Sequence, residues 1–428
     1  MDNRNIVITG LGLVTALGKN VVCNWRNLEL KNSGIGCYPR ENQPEPFNYI
    51  GKVHEFRIPK GMPRKIGNQM KFLNRGSLLG FIAAHEAVTS SGMEISQITP
   101  DRRALCIGSG DHTKTGYDFL FPAVKKGTDG KFRHVNSKQL NETCLHEVNP
   151  FYLLESLHNN LFSFLSAFFD LKGPNATLAS LSPCGLHALE AASRMIRQDQ
   201  ADMALVVGCG NWITEIPLYE LQGLGLFSHC REGAQSFKPL DKRRNGFIPG
   251  EGGAAVLLEA EGTARKRGAF MHGRIRGTGN CIEFDSAHGL GVSTKVSLRC
   301  MAMALKDAGV DAADLGVISP HGNATRMGDR SELESIQTLL GNHSSQIPIV
   351  AMKPFTGHMG AASDIAEMIL GLKGLQKGMA PATLNFKASE ERFSHLNISN
   401  AHLSCAGNRF LSVSCGMGGQ VASVLVEG

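Results

Sequence analysis

Residues 173–210 read GPNATLASLSPCGLHALEAASRMIRQDQADMALVVGCG, and this stretch carries a clear structural pattern. Apolar residues at helical spacing predict a helix over 185–198, and the uninterrupted run MALVVGCG predicts a buried strand over 203–210. The same combination occurs earlier, with helical spacing at 78–93 and the short strand-like run ALCIGSG at 104–110. Strands that alternate with helices predict an α/β fold with a mostly parallel sheet covered on both faces.

The length of 428 residues is too great for one ordinary single core and suits two fused halves. Further strand-like runs follow in the second part of the chain: AAVLLEA (254–260), GRIRGTGN (273–280), GVISPHG (316–322), IPIVAM (347–352) and a closing hairpin-like pair, HLSCAG and FLSVSCGMGGQVASVLVEG. No low-complexity linker separates the two series of strands. We therefore expect an N-terminal half over 1–258 and a C-terminal half over 259–428 within one compact unit.

Charge and composition narrow the function classes. A net charge of +6 and a pI near 8.7 suit an acidic partner or an anionic substrate better than nucleic acid, which usually requires a dense basic stripe. No stretch reaches the roughly 18 uncharged apolar residues of a membrane helix. The 11 cysteines show no metal-type or disulfide spacing, so we expect reduced thiols, no metal and a cytoplasmic location.

The run IVITGLGLVTALG at 6–18 contains three glycines, Gly10, Gly12 and Gly18, and invites comparison with a nucleotide-binding turn. The spacing is not GxGxxG, and no acidic residue follows at the distance that a dinucleotide site needs. The sequence therefore disfavours a dinucleotide cofactor.

The stretch at 173–210 resembles the nucleophile region of the β-ketoacyl-carrier-protein synthases, which belong to the thiolase superfamily. In that family a strand leads into a sharp turn that presents a nucleophilic cysteine, with a helix directly behind it. Ungapped counting forward from Gly173 and backward from Gly185 places Ser182 at the nucleophile. Cys184 falls where the family usually has a small residue.

The resemblance covers the whole chain and is carried by four further segments. These are PLDKRRNGFIPGEGGAAVLLE (239–259), SPHGNATRMGDRSELESI (319–336), AMKPFTGHMGAASDIAEMI (351–369) and the closing loop SCGMGGQVA (414–422). Together they imply a duplicated thiolase-like αβαβα five-layer sandwich that acts on acyl groups held by a carrier protein.

The resemblance also implies a role for each of several residues. His321 and His358 are expected to donate hydrogen bonds to the enolate of a decarboxylated malonyl thioester, with Lys353 and Glu332 orienting and charging the site. The implied oxyanion hole uses the backbone N–H groups of Ser182 and Cys415. Asn323 and Thr325 are expected to bind the amides of the phosphopantetheine arm, beside Cys415 and Met417, which replace two phenylalanines of the family. No other cofactor is implied.

A basic stretch early in the chain offers a possible surface for an acidic carrier protein. It contains Arg64, Lys65, Lys71 and Arg75 on a predicted helix. An ordinary solvated helix face explains the same pattern equally well.

Serine in place of cysteine changes the chemistry expected at position 182. A hydroxyl is far less acidic than a thiol, so a helix dipole cannot ionise it at neutral pH, and it needs a general base instead. Condensation at Ser182 is therefore expected to be weak, whereas the decarboxylating residues are intact. A cysteine restored at this position is expected to regain acylation if the rest of the site is unaltered.

These considerations favour a cysteine-less, chain-length-factor-like partner of an active ketosynthase in a type II fatty-acid, polyketide or polyene pathway. Its expected partners are an acyl carrier protein and a second ketosynthase-like chain, as a homodimer or as a heterodimer with a cysteine-containing homologue. Three alternatives stay open: a self-sufficient ketosynthase, acyltransferase or hydrolase using Ser182, a cysteine-to-serine variant of an active ketosynthase, and a non-catalytic scaffold. The retention of His321, His358 and Lys353 argues against pure scaffolding.

Overall fold

The computed structural model describes residues 5–41, 43–59, 62–109, 117–131, 133–148, 160–180, 182–283 and 291–428. The strands in these residues are β1 (Ile6–Thr15), β2 (Ile35–Cys37), β3 (Tyr49–Gly51), β4 (Arg103–Ser109), β5 (Asn175–Ala179), β6 (Met203–Asn211), β7 (Glu251–Ala260), β8 (Gly273–Ile282), β9 (Val317–Ser319), β10 (Met379–Ala380), β11 (Leu403–Ser404), β12 (Arg409–Gly416) and β13 (Gln420–Glu427).

The α-helices alternate with the strands through most of the chain, and short 3₁₀ turns complete the connections. The described helices are α1 (Val21–Glu29), α2 (Arg64–Gly67), α3 (Arg75–Ser90), α4 (Tyr117–Gly127), α5 (Ser137–Glu147), α6 (Asn160–Phe169), α7 (Cys184–Arg197), α8 (Glu215–Gly223), α9 (Glu261–Lys266), α10 (Thr294–Ala308), α11 (Arg326–Leu340), α12 (Lys353–Thr356) and α13 (Ala361–Gln376).

Nine strands form one continuous sheet in the order β5-β4-β6-β7-β1-β8-β13-β12-β9. The sheet has two parts, β5-β4-β6-β7-β1 and β8-β13-β12-β9, which are joined where Ile6–Ile8 of β1 pairs with β8. Strands β1, β4, β6 and β7 are buried along their whole length, as expected for strands covered on both faces.

The prediction of a mostly parallel sheet is wrong. Among the described pairings of this sheet, β4 runs parallel to β5 and β6, and β12 runs parallel to β9, whereas the other neighbours are antiparallel. Strands β12 and β13 are joined by only three residues, a connection too short to return the chain to a parallel position. Alternation of helices and strands along a sequence does not fix strand direction when successive strands are not neighbours in the sheet.

The two parts of the sheet enclose a central layer of helices. Helices α7 and α13 lie between them: α7 packs on β4 and β6, and α13 contacts β6, β7 and β12. Helix α3 covers the outer face of the first part, and α10 covers that of the second, with α11 beside it. This arrangement gives the five αβαβα layers that the resemblance implied.

Most of the predicted elements occur close to their predicted positions. The helix predicted over 185–198 is α7, and the strand predicted over 203–210 is β6. Two expectations need correction. IPIVAM forms only isolated bridges through Ile349, and HLSCAG contributes β11, which pairs with β10 instead of the closing strands. The closing hairpin is formed within the final segment alone, by β12 and β13.

The predicted boundary at 258 lies inside β7, two residues before the end of that strand at Ala260. Within the described residues, no helix combines the length and apolar character needed to cross a membrane.

The glycines near the N-terminus serve close packing within the fold. Gly12 lies in β1 against α3, and a Cβ built on it would lie 1.9 Å from the carbonyl oxygen of Ala83. Strand and helix can approach this closely only without a side chain at position 12.

The substitution Gly12→Ala is therefore expected to lower the free energy of unfolding by about 3 kcal/mol or more, because the new methyl group must push α3 away from the sheet. Gly262→Ala is the matched control, since a Cβ there meets no atom within 4 Å. The control is expected to change stability by less than about 1 kcal/mol. Chemical unfolding of the two variants measures the difference, and equal midpoints would contradict the packing role.

Candidate active site

Ser182 lies in the short turn between β5 and α7, directly before the helix begins at Cys184. Its side chain is only 4% exposed, yet its Oγ has no hydrogen-bond partner among the described residues. The end of β12 packs closely against this turn, since a Cβ on Gly416, its last residue, would lie 1.9 Å from the Ser182 carbonyl oxygen. This close approach restrains the backbone of Ser182.

Cys184 is placed where it cannot replace Ser182 as a nucleophile. Its thiol donates to the carbonyl oxygen of Ser180 at 3.2 Å and does not line the active-site cavity. Burial raises the pKa of this thiol to about 12, and the carboxylate of Asp364 adds to the rise. The thiolate is the reactive form of cysteine, so Cys184 is inert.

The two histidines of the later motifs meet in the centre of the molecule. His321 follows β9 and His358 follows α12, and their Nε2 atoms are 3.2 Å apart. Nδ1 of His358 accepts a hydrogen bond from the Gly360 N–H at 3.1 Å, which places the proton of the neutral ring on Nε2. Burial, together with the nearby Lys353 ammonium, holds the pKa of both imidazoles well below 6.5. Both rings are therefore neutral at physiological pH.

Two aromatic rings hold His358 in place. Trp212 stacks on the imidazole with a centroid distance of 4.6 Å and an interplanar angle of 19°, and Phe247 packs against it at 4.7 Å. Phe247 lies in the motif segment 239–259, whereas Trp212 was not identified from the sequence as a residue of the site. An isolated tryptophan in the sequence carried no signal that it would contact a histidine 146 residues away.

Lys353 lies behind the histidines instead of beside the substrate. Its Nζ donates to the carbonyl oxygen of His321 at 2.5 Å and to both carboxylate oxygens of Glu367, at 3.0 and 2.9 Å. Burial raises the pKa of Glu367, and the Lys353 ammonium opposes that rise. Glu367 was missed in the sequence, where it lies in an apolar run nine residues after His358; its charge in such a run is the signal that could have identified it.

Glu332 orients the backbone of the His321 loop. Its two oxygens accept hydrogen bonds from the N–H groups of His321 at 2.6 Å and Gly322 at 2.9 Å. Burial raises the pKa of this carboxyl to about 8, and the neighbouring Asp329 adds to the effect. The orienting role expected of Glu332 therefore has a specific form, an anchor for the peptide that carries His321.

A third buried carboxyl group, that of Asp364, also lies in the site, and like Glu367 it was not identified from the sequence. Its Oδ1 accepts a hydrogen bond from the Ser414 hydroxyl at 2.6 Å, and the same Ser414 oxygen lies 3.5 Å from Nδ1 of His321. Asp364 is thus connected to a histidine of the site through one side chain.

These groups surround a cavity of about 770 Å³. Of the predicted site residues, the cavity is lined by Ser182, His321, Asn323, Thr325, Glu332, His358, Cys415 and Met417. Its lining also contains three arginines, Arg231, Arg243 and Arg326.

Asn323 and Thr325 are hydrogen-bonded to each other in the cavity wall. The Asn323 Oδ1 atom accepts hydrogen bonds from the Thr325 N–H at 3.0 Å and from its hydroxyl at 2.7 Å. Because the side-chain oxygen of Asn323 is engaged in this way, its side-chain NH₂ group remains able to donate hydrogen bonds to a bound molecule. The thiol of Cys415 faces Glu332, with a sulfur–oxygen distance of 3.7 Å.

The predicted carrier-docking residues do not form one surface on one helix. Arg64 and Lys65 are exposed on the short helix α2, and Lys71 is exposed in a separate 3₁₀ turn. The Arg75 guanidinium binds both oxygens of the buried Glu251, at 2.5 and 2.6 Å. This pair connects α3 to β7 and leaves Arg75 a structural role.

Two other observations bear on the sequence predictions. The histidines at positions 112 and 288 are not among the predicted site residues, and they lie outside the described residues. In the part of the chain that the structure describes, no cluster of histidine, cysteine and acidic residues could hold a metal ion.

The chain matches two protein-family models. Residues 3–264 match the N-terminal domain of β-ketoacyl synthase, and residues 273–387 match its C-terminal domain. Among curated proteins, it is similar to the 3-oxoacyl-[acyl-carrier-protein] synthase 2 of Coxiella burnetii. The two are 28% identical over 403 residues, which cover 91% of this chain and 90% of the relative.

Solved structures show the same fold. A type II PKS acyl-carrier protein in complex with its ketosynthase includes a chain with a TM-score of 0.83, 22% identity and full coverage of both chains. The ishigamide ketosynthase/chain length factor has a TM-score of 0.81 and 22% identity, and 99% of each chain is covered.

The buried pair of Lys353 and Glu367 supports a stability prediction. Glu367→Ala leaves the ammonium buried without its carboxylate, so we expect a loss of about 3–5 kcal/mol in the free energy of unfolding. The double variant Lys353→Met/Glu367→Leu is expected to recover most of this loss. Glu55→Ala, which removes the partner of the surface residue Lys19, is the control and is expected to change much less. A single variant as stable as the wild-type protein would contradict the assignment.

Proposed function

We propose that this chain, which belongs to the β-ketoacyl synthase family, is a cysteine-less subunit of a type II fatty-acid or polyketide system that decarboxylates malonyl groups held on a carrier protein. The observation that carries the proposal is the pair of neutral, buried imidazoles, 3.2 Å apart, in a cavity whose nucleophile position is a serine. On this proposal the subunit acts beside a homologous, cysteine-containing ketosynthase and helps to shape the product.

The proposed reaction breaks the bond between the carboxylate carbon and the α-carbon of a malonyl thioester. Carbon dioxide leaves, and the electron pair of that bond passes into the thioester as an enolate. The Nε2–H of His358 donates to the enolate oxygen and stabilises the charge that develops there, and the His321 ring lies beside it, with its Nε2 atom 3.2 Å away. A proton taken up at the α-carbon then gives an acetyl thioester, so no covalent enzyme intermediate is needed.

The geometry around Ser182 supports a reaction without covalent catalysis. A serine nucleophile needs a base within hydrogen-bond distance, and Ser182 Oγ has no partner among the described residues. His358 is oriented as a donor by its contact with Gly360, which leaves its Nε2 protonated instead of free to accept a proton. A hydrolase or acyltransferase using Ser182 would require both of these contacts to change.

The rim of the cavity suits a carrier-protein substrate. A phosphopantetheine arm carries a phosphodiester followed by two amides and a thiol. Arg231 and Arg326 are exposed in the cavity lining and can bind the phosphate, and the Asn323 amide lies deeper with Thr325. The arm belongs to the carrier protein, so the proposal requires no resident cofactor. The acidic surface of such a carrier could also contact the exposed residues of α2.

The edge of the sheet supports association with a second ketosynthase-like chain. Strand β5 is the end strand of the sheet, pairs only with β4 among the described strands, and has side chains that are exposed or half-exposed along its length. An open strand edge of this kind can pair with the same strand of another chain. We propose a dimer formed through β5, with a cysteine-containing homologue as the preferred partner.

The first test of the proposal measures carbon dioxide. Malonyl-carrier protein is incubated with the purified chain, and we expect carbon dioxide release without an acyl adduct in the intact mass. His358→Ala is expected to slow the release at least ~100-fold, because the enolate loses a donor. Ser182→Ala is expected to release carbon dioxide at the wild-type rate.

The matched control is His343→Ala, which removes an exposed histidine outside the cavity and is expected to behave as wild type. An acyl mass on the peptide that contains Ser182 would replace the proposal with covalent catalysis. No carbon dioxide and no adduct would favour a non-catalytic scaffold.

The second test concerns the partner. We expect the chain to have the mass of a dimer in solution and to co-purify with a cysteine-containing homologue when the two are expressed together. Thr177→Pro is expected to abolish the dimer, because proline at the centre of β5 removes a backbone donor. Condensation by the isolated chain at the rate of an active ketosynthase would rule out the partner role.

A further inference from the structure

The N-terminus of α7 would normally favour an anion at position 182. The first backbone N–H groups of a helix have no partner within the helix, and their dipoles attract negative charge. Ser182 lies two residues before the first residue of this helix. A thiol in its place would be expected to ionise more readily than a free thiol.

In this protein, a carboxyl group already lies at that helix end. Asp364 is the fourth residue of α13 and is 1% exposed. A Cβ built on Gly185, the second residue of α7, would lie 3.0 Å from the Asp364 Cβ and 3.1 Å from its Oδ2. Nothing larger than glycine fits between the acid and the helix, so the carboxyl group lies directly against the first turn.

The contacts of the Asp364 carboxyl group show which backbone dipoles it interacts with. Oδ1 accepts from Ser414, whereas Oδ2 has no hydrogen bond of ordinary geometry with any described residue. Burial raises the pKa of this carboxyl group to about 6. The backbone N–H groups of Gly185 and Leu186 nevertheless face the carboxyl group and oppose that rise. The dipoles that could stabilise an anion at position 182 are therefore directed at Asp364.

The effect of Asp364 on a neighbouring thiol can be seen at Cys184. After burial itself, the charge of Asp364 is the next largest cause of the raised pKa of Cys184. Cys184 begins the same helix and lies two residues from Ser182. The field of Asp364 therefore reaches the position at which a nucleophilic thiolate would form.

We propose that Asp364 is a second barrier to covalent catalysis, independent of the serine at position 182, because it places negative charge where the family's chemistry needs an anion to be stabilised. This inference rests on the proposed function, in which the chain decarboxylates without forming an acyl-enzyme. It assigns Asp364 an electrostatic role and not a contact with substrate. It also means that cysteine at position 182 is not sufficient to restore an active ketosynthase.

The surroundings of Asp364 define the charges that a test must consider. The groups that face it are Lys353 behind the site, Glu367 on its own helix, Cys184 on α7, and His321 through Ser414. Lys353 pairs with Glu367 and keeps that contact in every variant below, so its charge is common to all of them.

The experiment compares Ser182→Cys with Ser182→Cys/Asp364→Asn. Asparagine keeps the size of the side chain and an acceptor for Ser414 but removes the charge. Alkylation by iodoacetamide forms a bond from the introduced thiolate sulfur to carbon and releases iodide, so its rate against pH gives the pKa of the thiol at position 182. We expect a pKa at or above the ordinary value of about 8.5 in the single variant, and a value lower by about one unit or more in the double variant.

One unit corresponds to about tenfold faster alkylation below the pKa, and the acylation rate with acyl-carrier protein is expected to rise in parallel. Ser182→Cys/Glu86→Gln is the matched control. Glu86 is another largely buried carboxyl group, and it accepts hydrogen bonds from the backbone N–H groups of Leu13 and Val21. It lies in α3, on the outer face of the sheet. This control is expected to match the single variant.

If the double variant with asparagine does not fold, Asp364→Ser provides a second neutral form, and the single variant alone is already decisive. A pKa well below about 8.5 for the introduced thiol in the presence of Asp364 would overturn the proposal, as would equal pKa values in the single and double variants. Alkylation requires no carrier protein. Its outcome is therefore independent of whether the wild-type chain releases carbon dioxide.

Discussion

The burial of one ammonium group organises the active site. Lys353 is 1% exposed, and an unpaired charge buried to this degree would be very costly. Its contacts with the His321 carbonyl and with Glu367 tie the loop after β9 to helix α13. Burial also raises the pKa of several carboxyl groups around it: Asp329, Glu332, Asp364 and Glu367. The raised pKa values favour the neutral forms of these carboxyl groups, so burial limits the negative charge of the site.

The site combines both halves of the sequence. The Ser182 turn comes from the first half, whereas the two histidines, Lys353 and the closing loop come from the second. The turn is held by the close approach of Gly416, and the helix behind it packs against α13. The cavity therefore forms only when the two parts of the sheet enclose their shared layer of helices, which explains why no flexible linker separates them.

The sequence predicted those features that depend on neighbouring residues. The motif segments placed His321, His358 and Ser182 correctly in one cavity, because each motif carries its own turn and glycines. Most of the features that it did not predict depend on contacts between residues that are not close neighbours in the sequence. The partners of Lys353 and Arg75 are 14 and 176 residues away, and neither spacing forms a recognisable pattern. The prediction of strand direction was wrong for a similar reason, because direction depends on which strands become neighbours in the sheet.

The contact between the two imidazoles has a consequence for how the cavity exchanges its contents. The Nε2–H of His358 has the Nε2 lone pair of His321 as its acceptor, so this donor already has a partner within the protein. On the proposed function, a thioester oxygen must compete with this internal bond for the same donor, and the bond re-forms when the product leaves. An internal hydrogen bond that competes for the donor would therefore weaken the retention of product in the proposed reaction.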